Sequence, residues 1–321
     1  MTQVKDAVLV IYHYYEKDQS YINNFSHFIR FAYKSHLNYV IVIAGSYTID
    51  LPKAHNIEYL FTKNENFDYG GYATAIKTLG LNDRYDHYIF VNSSVRGPFL
   101  PAYTKSSWEQ ILLDIFDPSV GVVGTAVSLT PSHHSIAKLY HAKYGKTALN
   151  KRILSHVQTT CFALSKNSLR YLVNSGFYGI RRALSKDETV CDYEIRLSQM
   201  LLEHDLNMKC ILPEYSQPDY RHLKYDINPS SREGDSGFEN SYFGRTAHPY
   251  ESIFIKTSRN IYSDQYLKQL AWSMSINNPA EKSIGNSATI QEYSLSCEKS
   301  VSISRQDLEQ KTFWKNVFQN R

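Results

Sequence analysis

Four short apolar runs in the first hundred residues constrain this chain more than any other feature. AVLVIYHY (7–14) and YVIVIAG (39–45) are apolar on both faces, and IEYLF (57–61) and HYIFV (87–91) follow. A strand without a polar face is covered on both sides by other layers, so these runs read as buried strands of a parallel sheet. Residues 20–34 put Ile22, Phe25, Ile29 and Ala32 or Tyr33 on one helical stripe. Gly71 to Leu79 reads as a second, shorter helix. Strands alternating with helices imply parallel βαβ units joined by right-handed crossovers. The predicted fold class is α/β: a Rossmann-like, mixed but mainly parallel sheet flanked by helices, with a C-terminal helical tail.

The third and fourth runs each lead into a polar, glycine-bearing turn. The first turn carries Asn64, Asn66, Asp68, Gly70 and Gly71; the second carries Asn92, Ser93, Ser94, Arg96 and Gly97. Ligands of open α/β sheets bind beyond the carboxyl ends of the strands, which makes these two turns the predicted floor of a pocket for a nucleotide-linked ligand. Amide and carboxylate side chains can hydrogen-bond a base or ribose, and paired glycines let a backbone approach a phosphate. Arg96 would add a fixed charge with a bidentate fork. The competing reading of the first turn is a plain β-to-α connection with Asp68 as N-cap.

Further along, Trp108 to Phe116 reads as a helix and VGVVGTAVSL (120–129) as one strand. Residues 130–150 read as a mobile loop with a short helix, and HVQTTCFALS (156–165) as another strand, with Ser165 or Asn167 capping the next helix. Ser185 and Glu188 form a capping-box pattern opening a helix to about His204. MKCILP is a short strand, 214–247 a long loop of the kind that is often functional or disordered, and ESIFIKT (251–257) a strand. A helix at 263–275, a polar linker, and a final helix with Leu308, Phe313, Trp314 and Phe318 complete the chain. The predicted division is 1–260 (halves 1–100 and 101–260) followed by a helical extension, 261–321.

Composition narrows the function classes. A net charge of +4 is too mild to argue for nucleic acid, and no apolar run reaches the roughly 18 residues of a membrane span. Four widely spaced cysteines without a C-x-x-C pair read as reduced thiols of a cytoplasmic protein. His133, His134, His141 and His156 have no metal-ligand spacing.

The blocks FVNSSVRGPF, NENFDYGGY, HVQTTCFALSKNSL and YEIRLSQMLLEHDLNMKCILP together resemble, in order, the conserved blocks of rhamnan-synthesis type polysaccharide glycosyltransferases, over roughly residues 5–260. The resemblance implies a GT-A fold and transfer of a sugar (rhamnose or another hexose) from a nucleotide-diphosphate sugar into a surface polysaccharide. It also implies an oligosaccharide or lipid-linked glycan as acceptor and work at the inner face of a membrane, where the C-terminal tail could dock on lipid or a partner. Many GT-A enzymes hold a divalent metal, Mn or Mg, on an acidic D-x-D turn. Asn92-Ser93-Ser94 stands there in this chain, so metal dependence is open and basic residues are the alternative counter-charge.

An inverting transfer needs a carboxylate to take the proton of the attacking hydroxyl. KDETVCDYEIRLSQML offers Glu188, Asp192 and Glu194. Glu188 is absorbed by the capping box. At about 100° per residue Glu194 falls beside the apolar face of Val190, Tyr193, Leu197 and Leu201, and Asp192 points the other way. An inward carboxylate has a raised pKa, which suits a base, and the family block places its glutamate at Glu194. Asp192 is the second candidate. In GRTAHPYESIFIKTSRN, Lys256 and Arg259 are the predicted stabilisers of the leaving diphosphate, with His248 as a third contact or a metal ligand. A non-catalytic nucleotide- or glycan-binding module of the same fold is the rival reading.

Overall fold

The computed structural model describes residues 7–80, 84–145, 152–278 and 280–301. The strands are β1 (Val8–Tyr14), β2 (Asn38–Ala44), β3 (Ile57–Thr62), β4 (His87–Asn92), β5 (Val95–Arg96), β6 (Val120–Gly124), β7 (Val127–Pro131), β8 (Ile153–Val157), β9 (Cys161–Ser165), β10 (Asn207–Cys210) and β11 (Ile255–Lys256). The helices are α1 (Gln19–Ala32), α2 (Phe67–Leu79), α3 (Trp108–Leu113), α4 (Ser135–Tyr144), α5 (Lys166–Asn174), α6 (Lys186–Thr189), α7 (Arg196–Glu203), α8 (Pro213–Ser216), α9 (Pro249–Ser252), α10 (Asp264–Asn277), α11 (Lys282–Gly285) and α12 (Ala288–Val301). A π-helical turn, Val190–Ile195, joins α6 to α7.

Seven strands form the central sheet in the order β10-β6-β9-β4-β1-β2-β3. All run parallel except β9, which is antiparallel to β4 and β6. The fold is thus the mixed, mainly parallel α/β sheet with helices on both faces that the sequence pattern implies. Alternation along β1 divides the core. Leu9 and Ile11 face Tyr69, Tyr72 and Ile76 of α2, together with Leu197 and Leu201 of α7. Val8, Val10, Tyr12 and Tyr14 face Phe25, Phe28 and Ile29 of α1 and Trp108 of α3. β3 is not the buried strand expected: it is the sheet edge, and Phe61 is 61% exposed there. The four cysteines are unpaired and buried.

Two apolar stretches read as single strands are each broken in two. Residues 120–131 form β6 in the central sheet and β7 in a separate ribbon; residues 153–165 form β8 in that ribbon and β9 in the sheet. The crossing is tied by Thr125 N–H donating to Cys161 O (3.2 Å) and Gln158 N–H donating to Ala126 O (2.9 Å). A Cβ on Gly124 would lie 2.9 Å from Cβ of Val157, so the bend needs that glycine.

Other boundaries also differ. The helix α2 starts at Phe67, so Gly70 and Gly71 sit inside it rather than in a turn. The segment 251–257 starts in the last two residues of α9, turns at a left-handed Ile253 (φ 47°), and has only Ile255–Lys256 in a strand, antiparallel to β5. Pro249 at the first helical position and His248 as cap favour the helix over the strand. Residues expected to form a linker include α11 and α12. The latter buries Ile290, Tyr293 and Cys297 on one stripe, with Tyr293 OH 2.8 Å from His27 Nδ1 of α1. The short helix expected within 130–150 is the ten-residue α4; residues 146–150, and the final helix with Leu308, Phe313, Trp314 and Phe318, lie outside the described residues. Ser165 caps α5, and the Ser185–Glu188 capping box is present.

The glycines of α2 serve close packing. A Cβ at Gly71 would lie 2.3 Å from the ring of His13 on β1, and one at Gly70 would lie 1.9 Å from Glu65 O. Gly71→Ala should therefore cost about 1–3 kcal/mol through overpacking, read as a lower denaturation midpoint at unchanged slope.

Candidate functional site

The carboxyl rim of the sheet brings the two predicted turns together. Asn92, the last residue of β4, donates through Nδ2 to Oδ2 of Asp68 (2.9 Å), and its Oδ1 accepts from Ser94 N (3.1 Å) and Ser94 Oγ (2.5 Å). Asp68 lies in the first turn of α2 and is not its cap. The cap is Asn66, left-handed at φ 62°, whose Oδ1 accepts from Leu184 N (2.8 Å) and so ties α2 to the segment before α6. Asn64 is exposed. Burial pushes the Asp68 carboxyl above its ordinary range, against the hydrogen bond from Asn92 and the nearby charge of Lys256.

Glu194 projects from the π-helical turn into a cavity of about 240 Å³ that is also lined by His156, Thr159, Arg232, Lys256 and Arg259. Burial pushes its carboxyl up to about 7, and the negative charge of Asp68 adds to the rise; Lys256 and the Thr159 hydroxyl oppose it. A carboxyl in that range exchanges protons near neutral pH. A smaller cavity of about 50 Å³ shares Gln158, Thr160, Phe238, Lys256 and Arg259 with the first. Asp68 and Asn92 line neither cavity; Lys256, exposed on β11, is the charge common to both carboxylates.

Several predicted residues occupy other positions. Arg96 is 1% exposed and turned into the protein, where Nε donates to Asn24 Oδ1 (2.9 Å) and Nη1 to Asp264 Oδ1 (2.7 Å). The arginine follows a buried strand, but its counter-charge comes from the start of α10. Ser93 Oγ accepts from Tyr15 N (3.0 Å) and donates to Tyr15 O (3.1 Å), pinning the segment after β1. Asp192 is held on the far side of the π turn by Lys143 Nζ and by Tyr144 OH (3.0 Å) of α4. His248 caps α9: Nδ1 accepts from Tyr250 N (3.1 Å) and Nε2 meets Tyr266 OH (2.8 Å). Both its ring nitrogens are engaged, so it is not placed as a metal ligand. Arg259 lines both cavities, but its charge is matched: both Nη atoms donate to Asp235 (3.2 Å through Nη1), and the guanidinium lies 4.2 Å over Phe238.

A hard cation wants carboxylate oxygens. The Asn92–Ser94 turn offers none, and its side-chain oxygens accept from neighbouring groups of the chain. Among the described residues no group of three or more His, Cys, Asp or Glu is placed to hold a metal. The turn does not fit a divalent ion.

Residue-level reading missed Thr159, Arg232, Asp235 and Phe238. Thr159 sits at the bend between β8 and β9, which looks like uninterrupted strand. The other three belong to the 214–247 loop, where no periodicity singles out one residue. Tyr15 and Tyr21, edge to face at 6.4 Å, were also missed. Tyr15 follows β1 directly and Tyr21 lies in the first turn of α1; burial raises the Tyr21 phenol, and the charges of Asp18 and Asp68 add to the rise.

No family model matches the chain, and no curated protein matches its sequence. Among solved structures it is similar to the apo form of WbbM, a bifunctional glycosyltransferase, at 13% identity and TM-score 0.41 over 92% of this chain. The chain spans about half of that protein, 52% of its length. It is also similar to the mannosyltransferase PcManGT from Pyrobaculum calidifontis in complex with GDP-Man and Mn2+, at 9% identity and TM-score 0.38, over 96% of this chain and 89% of that one. At these scores the likenesses carry no part of the functional argument.

If Arg96 is structural, Arg96→Gln should lower stability by about 1.5–3 kcal/mol, the cost of losing a hydrogen bond to a charged group. Nucleotide-diphosphate affinity measured on the folded fraction should stay unchanged.

Proposed function

We propose that this chain is a GT-A glycosyltransferase that moves a sugar, rhamnose or another hexose, from a nucleotide-diphosphate sugar to a glycan acceptor, with inversion. The observation that carries the proposal is Glu194: a desolvated carboxyl, titrating near 7, on the wall of a cavity that also holds Lys256. In this reading the acceptor hydroxyl attacks the anomeric carbon of the donor. Its proton passes to Glu194 as the new C–O bond forms, and the bond to the diphosphate breaks with its electron pair going to the leaving oxygen. Lys256 faces the charge that develops there. Asp68 and Asn92, with Tyr15 and Tyr21 nearby, form the nucleoside side of the site. Arg259, held by Asp235, braces the wall between the two cavities. Synthesis of a surface polysaccharide at the inner face of a membrane is the setting that the sequence resemblance suggests. No described helix is long and apolar enough to cross a membrane.

The carboxylate-free turn at Asn92–Ser94 favours a second reading, a nucleotide- or glycan-binding module without transfer. The two are separated by activity on a bound donor. A nucleoside diphosphate at about 100 times its dissociation constant should stabilise the fold by roughly 2.7 kcal/mol in either case. Only the enzyme consumes nucleotide sugar.

Glu194→Gln should lower transfer or donor hydrolysis by about 10²–10⁴-fold while nucleotide-diphosphate binding is retained; near-normal turnover would remove Glu194 from the role. The wild-type rate should rise with pH through about 7, as the base ionises, and that limb should vanish in the variant.

Stability should run the other way. The folded state holds the Glu194 proton above the carboxyl's unfolded pKa, so stability is full below that value and falls as pH rises towards about 7. Comparing unfolding midpoints at pH 5 and pH 8 should therefore show Glu194→Gln gaining on wild type at pH 8.

A further inference from the structure

Away from the sheet rim, α1, α10 and α12 pack around a cavity of about 150 Å³ whose lining includes Arg30, Ser275, Tyr293, Ser294, Cys297 and Glu298. That is several times the ~30 Å³ share of one water. Arg30 is 8% exposed. Its Nη2 donates to Asn278 O (2.8 Å), and its guanidinium lies 4.7 Å over the ring of Phe31. Its Nη1 is buried and makes no hydrogen bond, and no carboxylate among the described residues pairs with it. Glu298, in the lining, is exposed and makes no bond to it.

Arginine is almost never buried this deeply without a partner, because removing its charge from water costs several kcal/mol unless a counter-charge and hydrogen bonds replace the lost hydration. The other buried arginine shows the rule in the same molecule: Arg96 has Asp264. A guanidinium with an unbonded Nη1, on a side chain that lines a polar cavity of this size, is a donor that oxyanions select. Ser275, Ser294, Tyr293 and Cys297 add polar groups to the wall, with Phe31, Ala271 and Glu298 completing it.

We infer that the Arg30 cavity is a binding site for a small oxyanion of the phosphate class, separate from the Glu194 site, and that the bound anion ties α10 and α12 to α1. A free phosphate and the phosphate of an anionic lipid headgroup share this chemistry.

The test is thermal unfolding of the full chain in inorganic phosphate against chloride at matched ionic strength. Wild type, Arg30→Met and Lys256→Gln are compared, the last because phosphate could also enter the Glu194 cavity. The inference expects phosphate to raise the wild-type and Lys256→Gln midpoints in a saturable way, with the shift lost in Arg30→Met. Arg30→Lys, which keeps the charge without the fork, should weaken phosphate binding about tenfold, a loss near 1.4 kcal/mol. Co-sedimentation with phosphatidylglycerol and with phosphatidylcholine vesicles identifies the source. Arg30-dependent binding to the first alone assigns a lipid headgroup, and a phosphate shift without vesicle binding assigns the free ion. No phosphate shift in wild type together with no Arg30-dependent vesicle binding, or a shift that survives in Arg30→Met, overturns the site. These outcomes do not depend on nucleotide-sugar transfer.

Discussion

One bend holds the rim of this molecule in shape. The paths β6 to β7 and β9 to β8 leave the central sheet together, tied by the Thr125–Cys161 and Gln158–Ala126 backbone hydrogen bonds. Leaving the sheet places Gln158, Thr159 and Thr160 at the rim, and all three line the larger cavity. The ribbon also receives the helix that carries Glu194. Ser198 Oγ accepts from Val157 N (3.0 Å), and Gln199 Nε2 donates to Ser155 O (2.8 Å). Those buried bonds fix the depth of α7, and with it the position of the π turn one step earlier in the chain. Without the bend, β8 would extend the sheet and α7 would have no ribbon to lie on.

The electrostatics follow from that placement. Two carboxylates, Asp68 from the α2 side and Glu194 from the α7 side, are both desolvated, and each lies within reach of Lys256. The two differ in their partners. Asp68 accepts from the Asn92 amide, a fixed hydrogen bond that favours its charged form. For Glu194 burial dominates, and Lys256 and the Thr159 hydroxyl oppose it only in part. Burial pushes the Glu194 carboxyl up to about 7. Burial raises both carboxyls, and the negative charge of Asp68 adds to the rise at Glu194.

Much of the architecture was legible because burial on both faces leaves a strong mark on sequence. The β1, β2 and β4 runs, the stripe of α1 and the capping box at Ser185 needed no tertiary information. The errors cluster where tertiary contacts decide. No proline marks the breaks at Thr125 and Gln158, and Gly124 signals close contact without saying that the strand ends there. The polar stretch before Val301 looked like linker, since only one narrow stripe of α12 is apolar and its partner, α1, lies more than 200 residues away. Arg96 carried the right chemistry for a phosphate ligand, but its acid, Asp264, is 168 positions distant. In the site, Glu194 was legible from a helical wheel and Lys256 from charge density. Arg232, Asp235 and Phe238 were not, because a loop without period gives no direction to its side chains.

The choice between Asp192 and Glu194 shows how local geometry decides a chemical role. Two positions apart on a regular helix, their side chains diverge by about 200°, so one helix cannot aim both at the same cavity. The π turn, Val190–Ile195, widens the helix by a residue at this point, and the outward carboxylate is taken up by α4 through Lys143 and Tyr144. That pairing holds the Asp192 side chain in place and anchors the turn against rotation. Glu194 is then left to the inner side, where burial raises its proton affinity and its side chain lines the larger cavity. The acid that is well paired holds the helix, and the acid that is poorly paired faces the cavity, which is why the proposed chemistry falls to it.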